Sequence, residues 1–211
     1  DRFEDLPKAT AFVASVFRAS VWQWLKNAYG FQDDRLRPYG FNSAPFIADK
    51  TSSMQGYLTS EPYAVEKQGG FKPNIFLLAD HGYDSYSTTI EARRETIDKR
   101  PDLVQRFVDA SIEGWYSYLY GDPSAANALI KRENPDMTDD VIAYSIAKMK
   151  EYGIVDSGET LTDGIGAMTD ARWRDFYQLM SQQGLYPKDL DYRKAFTLQF
   201  VNKRVGMELK K

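Results

Sequence analysis

Cysteine is missing from all 211 residues. Its absence excludes disulfides, thiolate zinc sites and cysteine nucleophiles, and it fits any cellular compartment. Histidine occurs once, at His81, so a multi-histidine metal site cannot form and no metal is expected. Long apolar runs are lacking too. None approaches the ~20 residues of a membrane-spanning helix, so direct membrane insertion is not expected. The opening Asp1-Arg2-Phe3-Glu4-Asp5 has neither the basic nor the apolar region of a signal peptide, and a mature exported chain or a fragment reads the same way. Neither sign of charge dominates: 27 basic residues face 30 acidic ones for a net −3, which argues against nucleic acid or an anionic membrane as partner. No P-loop, G-x-G-x-x-G, G-x-S-x-G or H-E-x-x-H pattern occurs, and there is no internal repeat or low-complexity tract.

What is present is ample material for a core, 43% hydrophobic and 14% aromatic, in a length that suits one large domain or two small ones. The chain pivots on the stretch from Asn74 to Tyr120. Up to Ala79, short apolar runs alternate with helical patterns. Strands are expected over Lys8–Ser15, Leu36–Phe41, Gln55–Thr59 and Ile75–Ala79, and helices from Ser20, from Ser43 and over Pro62–Gln68. Such alternation implies a parallel, doubly wound α/β sheet. Ser20 and Gln23 have the spacing of a capping box, and Gly30 suits the left-handed end of that helix.

After the polar turn Asp80–Asp84 and an extended run Ser85–Ile90, the pattern becomes helical. Pro101 suits a first helical position, and Val104, Phe107, Val108, Ile112, Trp115 and Leu119 recur at helical spacing. Later helices are expected from Asp122-Pro123 to Asn134, from Thr138 to Gly153 and from Thr169 to Gly184, with Trp115 and Trp173 inward and Asp156–Gly166 a loop.

Four places carry candidate chemistry. The strand-to-helix turn at Arg18-Ala19-Ser20, with Trp22 behind it, offers free N–H groups, a positive dipole end and a guanidinium to an anion or polar ligand; the alternative is an ordinary helix cap. Ser60 and Glu61 follow an expected central strand, where ligands of open α/β sheets sit, and Glu61 can accept from an amine or a ring N–H; otherwise it is a helix-start carboxylate. His81, Gly82, Tyr83 and Asp84 form a loop that reads better as a hinge than as a catalytic pair. Trp24, Tyr57, Tyr63 and Tyr86, with Trp22 and Tyr83, can stack on a planar ligand or belong to the core.

Gly56-Tyr57-Leu58-Thr59-Ser60-Glu61-Pro62-Tyr63, Gly82-Tyr83-Asp84-Ser85-Tyr86, Arg100 to Phe107, Gly164 to Met168 and Arg172-Trp173, in this order and spacing, resemble the NMT1/THI5-like family across about Asp5 to Asn202. That family contains substrate-binding proteins of ABC importers in the nitrate/sulfonate/taurine and thiamine-pyrimidine groups. The resemblance implies a type II periplasmic-binding-protein fold: residues 1–84 as the α/β second lobe, and 85–211 as a crossing strand and a mainly helical return to the first lobe. The family's opening strands and helices are not in this sequence, so the first lobe's ligand contacts are not carried over. The implied function is capture of a small polar or heteroaromatic solute in a cleft for an ABC permease, in the periplasm, without cofactor or catalytic residue. Arg18, Ser20, Trp22, Ser60, Glu61, Tyr83 and Asp84 are the candidate ligand-binding residues. Two alternatives share the fold: a pyrimidine-synthesis enzyme, disfavoured because the family's cysteine-rich iron motif is missing, and a ligand-sensing domain.

Overall fold

A computed structural model describes residues 2–210, in two compact units. The first takes the chain up to Asp84 together with Arg174–Leu190, and the second takes Ser85–Trp173 together with the chain from Asp191.

The first unit is built on a small parallel sheet. Its strands are β1 (Ala11–Val13), β2 (Leu36–Pro38) and β3 (Ser53–Met54), in the order β2-β1-β3. Ala11 pairs with Leu36 on one side and Ser53 on the other. α1 (Val21–Tyr29) carries the chain from β1 out to β2, α2 (Ala44–Ala48) returns it past β1 to β3, and α3 (Glu61–Gly69) follows. The connections therefore run in opposite directions on the two sides of β1. That makes the carboxyl ends of β1 and β3 a switch point of the doubly wound kind.

Trp22, Trp24 and Leu25 of α1 pack with Ala11, Val13, Phe3 and Phe31 into one core. Burying a large apolar side chain contributes about 1.5–3 kcal/mol, so this cluster is what holds α1 against the sheet. Gly30 ends α1 at φ 76° and Gly70 ends α3 at φ 71°, where a Cβ would be strained.

Several expectations need correction here. Ser20 makes no side-chain cap to α1, and the Gln23 amide donates to the Arg18 carbonyl at 3.1 Å, so no capping box forms. The third strand falls at Ser53–Met54 rather than Gln55–Thr59, because Tyr57–Ser60 closes into a turn, with the Ser60 N–H on the Tyr57 carbonyl at 3.0 Å. Ile75–Ala79 is not a strand. Residues 72–77 run without a ladder partner into a 3-10 turn at Leu78–His81, and Phe76 and Leu78 pack on the Phe3 core instead.

In the second unit, Ser85–Ile90 forms no strand. The helices are α4 (Arg94–Lys99), α5 (Pro101–Tyr120), α6 (Ser124–Glu133), α7 (Asp139–Glu151), α8 (Thr160–Asp163) and the beginning of α9 (Asp170–Gln182), whose later turns belong to the first unit. α8 lies inside the stretch expected to be loop. α7 has the expected cap, with the Val141 N–H on the Thr138 hydroxyl at 3.4 Å. Val108, Ile112, Tyr116 and Leu119 of α5 form the core with Ile165 and Phe200. Trp115 faces away and is 41% exposed, contrary to the expected core position, and Phe107 is 61% exposed. Trp173 is half-buried, stacked on Phe196 at 4.8 Å between ring centres.

Two polar clusters pin this unit. The Asp156 carboxylate, its side chain only 4% exposed, accepts from Lys210 at 2.7 Å, Tyr120 at 2.6 Å and Thr160 at 2.9 Å. Burial pushes its pKa up, but these three donors outweigh burial and hold it below the ordinary carboxylate value. Glu159 accepts from Tyr86 and from Arg172 at 3.4 Å, and the Arg172 guanidinium lies 4.4 Å over the Tyr86 ring. Among the described residues no helix is long and apolar enough to cross a membrane.

Candidate functional site

The carboxyl ends of the strands in the first unit bring three loops together. Beyond β1, the Ala14 N–H donates to the Gln55 side-chain carbonyl at 2.9 Å, which ties the ends of β1 and β3 across the switch point. Beyond β2, the Tyr39 N–H continues the ladder to the Val13 carbonyl at 3.1 Å. Tyr39 itself is 6% exposed. Its hydroxyl accepts from Ser43, a buried polar residue, and donates to Glu61 Oε1 at 3.2 Å. Burial first, and then the neighbouring Glu61 charge, push the Tyr39 pKa up to about 12, so the phenol stays a donor at neutral pH.

Glu61 gathers these loops. Its Oε2 accepts from the Tyr57 N–H at 2.8 Å and from the Ser60 hydroxyl, while Oε1 takes Tyr39. A carboxylate offers about four acceptor positions, so three protein donors leave room for one more on this group. The close approach depends on Gly56, where a Cβ would stand 2.7 Å from the Glu61 Cβ. Just past each strand the chain exposes one large apolar side chain: Val16 (74%) after β1, Phe41 (71%) after β2 and Tyr57 (53%) after β3. Exposed apolar groups beside convergent polar ones are the ordinary composition of a small-molecule site.

The expected site residues fall into distinct places. Ser60 and Glu61 are in direct contact. Ser20 and Tyr83 are brought together by a side-chain hydrogen bond, and Tyr83 packs between Trp24 and Phe176 with ring centres 5.0 and 5.2 Å away. Burial raises the Tyr83 pKa. Arg18 is exposed in the turn before α1, and Asp84 is exposed at the end of the first stretch of this unit. Trp22 is 1% exposed, with its indole N–H on Asp33 at 2.8 Å, so it backs the β1 end from the core. His81 stacks on Phe3 at 3.6 Å between ring centres.

Tyr39, Phe41, Val16 and Gln55 were not singled out from sequence. Tyr39-Gly40-Phe41 were expected as the last residues of the strand Leu36–Phe41, but β2 ends at Pro38, which places them beyond its carboxyl end.

A cavity of about 900 Å³ lies in the same unit. It is walled by Phe12, Met54, Val65, Phe71 and Phe76 and reaches Tyr57 and Glu61 at one side. Among the described residues no group of three or more His, Asp or Glu side chains is placed to hold a metal ion.

Comparison with known proteins adds to this geometry. The profile of the NMT1/THI5-like family matches residues 8–126, which takes in the whole sheet, the strand-end loops and α5. A protein of Chloroflexus aurantiacus named riboflavin-binding protein RibY is 25% identical over 170 residues, covering 80% of this chain and 48% of its own length. The chain thus spans about half the length of that curated relative. No solved structure matches the chain significantly.

Proposed function

The chain belongs to the NMT1/THI5-like family, and from that premise we propose that it captures a small solute without transforming it, at the strand ends of its first unit. One observation carries the reading: the Glu61 carboxylate is held at the strand ends by Tyr39, Ser60 and the Tyr57 N–H, and the chain just past each of the three strands exposes an apolar side chain, Val16, Phe41 and Tyr57. The apolar groups suit a flat ring. The remaining acceptor position on Glu61 suits a ring N–H. The name of the riboflavin-binding relative points to the same class, a planar heteroaromatic carrying N–H and C=O groups.

In this proposal Ser60 and Glu61 meet the ring edge, and Arg18 supplies positive charge beside the β1 end. Ser20 and Tyr83 fix the turn that presents Arg18, Trp22 supports that turn from the core, and Asp84 offers a carboxylate at the unit's edge. The site is largely pre-formed, so ordering costs on binding are small. A solute-binding role further implies handing the ligand to an ABC permease outside the cytoplasm, in the periplasm where one exists.

Calorimetric titration of the protein with riboflavin, with taurine as a non-aromatic control, tests the reading. Saturable one-to-one binding of riboflavin, no response to taurine and recovery of the ligand unchanged are expected. Preference for taurine contradicts the ligand class, absence of riboflavin binding contradicts the site, and recovery of a converted product assigns the chain to the family's enzymes instead.

A further inference from the structure

We infer that Phe41 is the specificity-determining residue of this site, an aromatic platform held outward by a left-handed backbone to stack on a planar ligand. The inference rests on the solute-binding reading above. Phe41 has φ +60°. A bulky side chain seldom adopts that conformation, and here it falls between Gly40 and Asn42, the two residue types that adopt it most readily. A loop that needed only the bend would place it on either neighbour.

Packing does not account for the conformation, since Phe41 is 71% exposed. Among the described residues, the other non-glycine positions with positive φ, Asn202 and Arg204, have local explanations. Asn202 exchanges side-chain hydrogen bonds with the Met168 backbone at 3.0 and 2.8 Å, and the Arg204 N–H donates to the Asp163 carbonyl at 3.0 Å. Strained, exposed residues of this kind cluster at ligand sites, where the conformation serves binding rather than the fold.

The geometry says what kind of binding. The Phe41 ring centre is 5.4 Å from that of Tyr39, tilted by 51°. Tyr39 is buried and fixed at its hydroxyl by Ser43 and Glu61, so it forms a rigid wall. Phe41 leans on that wall with most of its surface open. The anchored pair therefore offers a rigid π-face beside a carboxylate. This arrangement favours flat rings over aliphatic solutes of equal polarity.

The test compares Phe41→Gly, Phe41→Ala and Phe41→Trp with the unaltered protein, reading riboflavin affinity by fluorescence quenching and fold by thermal unfolding. Glycine takes φ +60° without strain, so its unfolding temperature is expected to hold or rise. Loss of one stacking ring should weaken binding by roughly five- to a hundredfold for Gly and Ala, and Trp should restore it. Riboflavin affinity of Phe41→Gly within twofold of the unaltered protein overturns the assignment. So does a marked fall in its unfolding temperature, which would make the conformation a need of the fold. If the unaltered protein binds no riboflavin, the solute-site reading fails and Phe41 with it; binding that Phe41→Gly leaves intact sinks only the role of Phe41.

Discussion

Replacing Glu61 with alanine should destabilise the first unit as well as weaken binding, because the carboxylate is a junction of three loops. The substitution removes acceptors for the Tyr57 N–H at 2.8 Å, the Ser60 hydroxyl and the Tyr39 hydroxyl at 3.2 Å. Tyr57 is half exposed and water can replace its lost partner at small cost. Tyr39 is buried, and leaving its hydroxyl without an acceptor costs about 1–3 kcal/mol. Loss of a carboxylate from the first turn of α3 adds about 0.3–1 kcal/mol through the helix dipole. The sum is about 1.3–4 kcal/mol, or a fall of roughly 3–16 °C in unfolding temperature for a chain of this size. Urea unfolding followed by fluorescence, with Trp22 and Trp24 reporting the first unit, measures it. The same change made in a Tyr39→Phe background should cost less by about 1–3 kcal/mol, since the orphaned hydroxyl is already gone. A Glu61→Ala cost below about 0.5 kcal/mol, or strict additivity with Tyr39→Phe, would show that the carboxylate is an ordinary exposed helix-start residue.

Asp156→Asn should destabilise the second unit by about 1–3 kcal/mol, since three donors converge on a side chain that is 4% exposed. The Asp156 pKa is depressed, so its contribution is complete above the ordinary carboxylate range and is lost as pH falls through its folded value; the gap between Asp156→Asn and the unaltered protein, followed by circular dichroism, should close in acid. At the alkaline end the sign is opposite. Tyr39, raised to about 12, contributes stability that is present below its unfolded value near 10 and lost as pH climbs towards 12, so Tyr39→Phe should flatten the alkaline fall in unfolding temperature.

Helix ends were the most legible feature of the sequence, because their chemistry is local. Pro101 opens α5, the Thr138 hydroxyl caps α7, and Gly30 and Gly184 take positive φ where they were expected to end helices. The parallel arrangement of the first strands was legible from their alternation with helices, although only two or three residues of each form ladder bonds. Ile75–Ala79 was misread because an apolar run records packing and not pairing: Phe76 and Leu78 are partly buried against the Phe3 core without a neighbouring strand. Trp115 was misread because α5 carries apolar residues on two faces and periodicity cannot say which one packs. At the candidate site, Glu61 and Ser60 were visible from their place after a strand, whereas Tyr39 and Phe41 depend on a hydroxyl contact 22 residues away and on one backbone angle.

Capture of a solute at the strand ends is tested most directly by amide hydrogen exchange with and without saturating riboflavin. Binding there should slow exchange in Ala14–Ser20, Tyr39–Ser43 and Gln55–Glu61 together, the three loops that share the Glu61 and Gln55 contacts. Protection confined to residues 71–78 along the cavity, or to α5 and the second unit, with these three loops unchanged, would contradict the account.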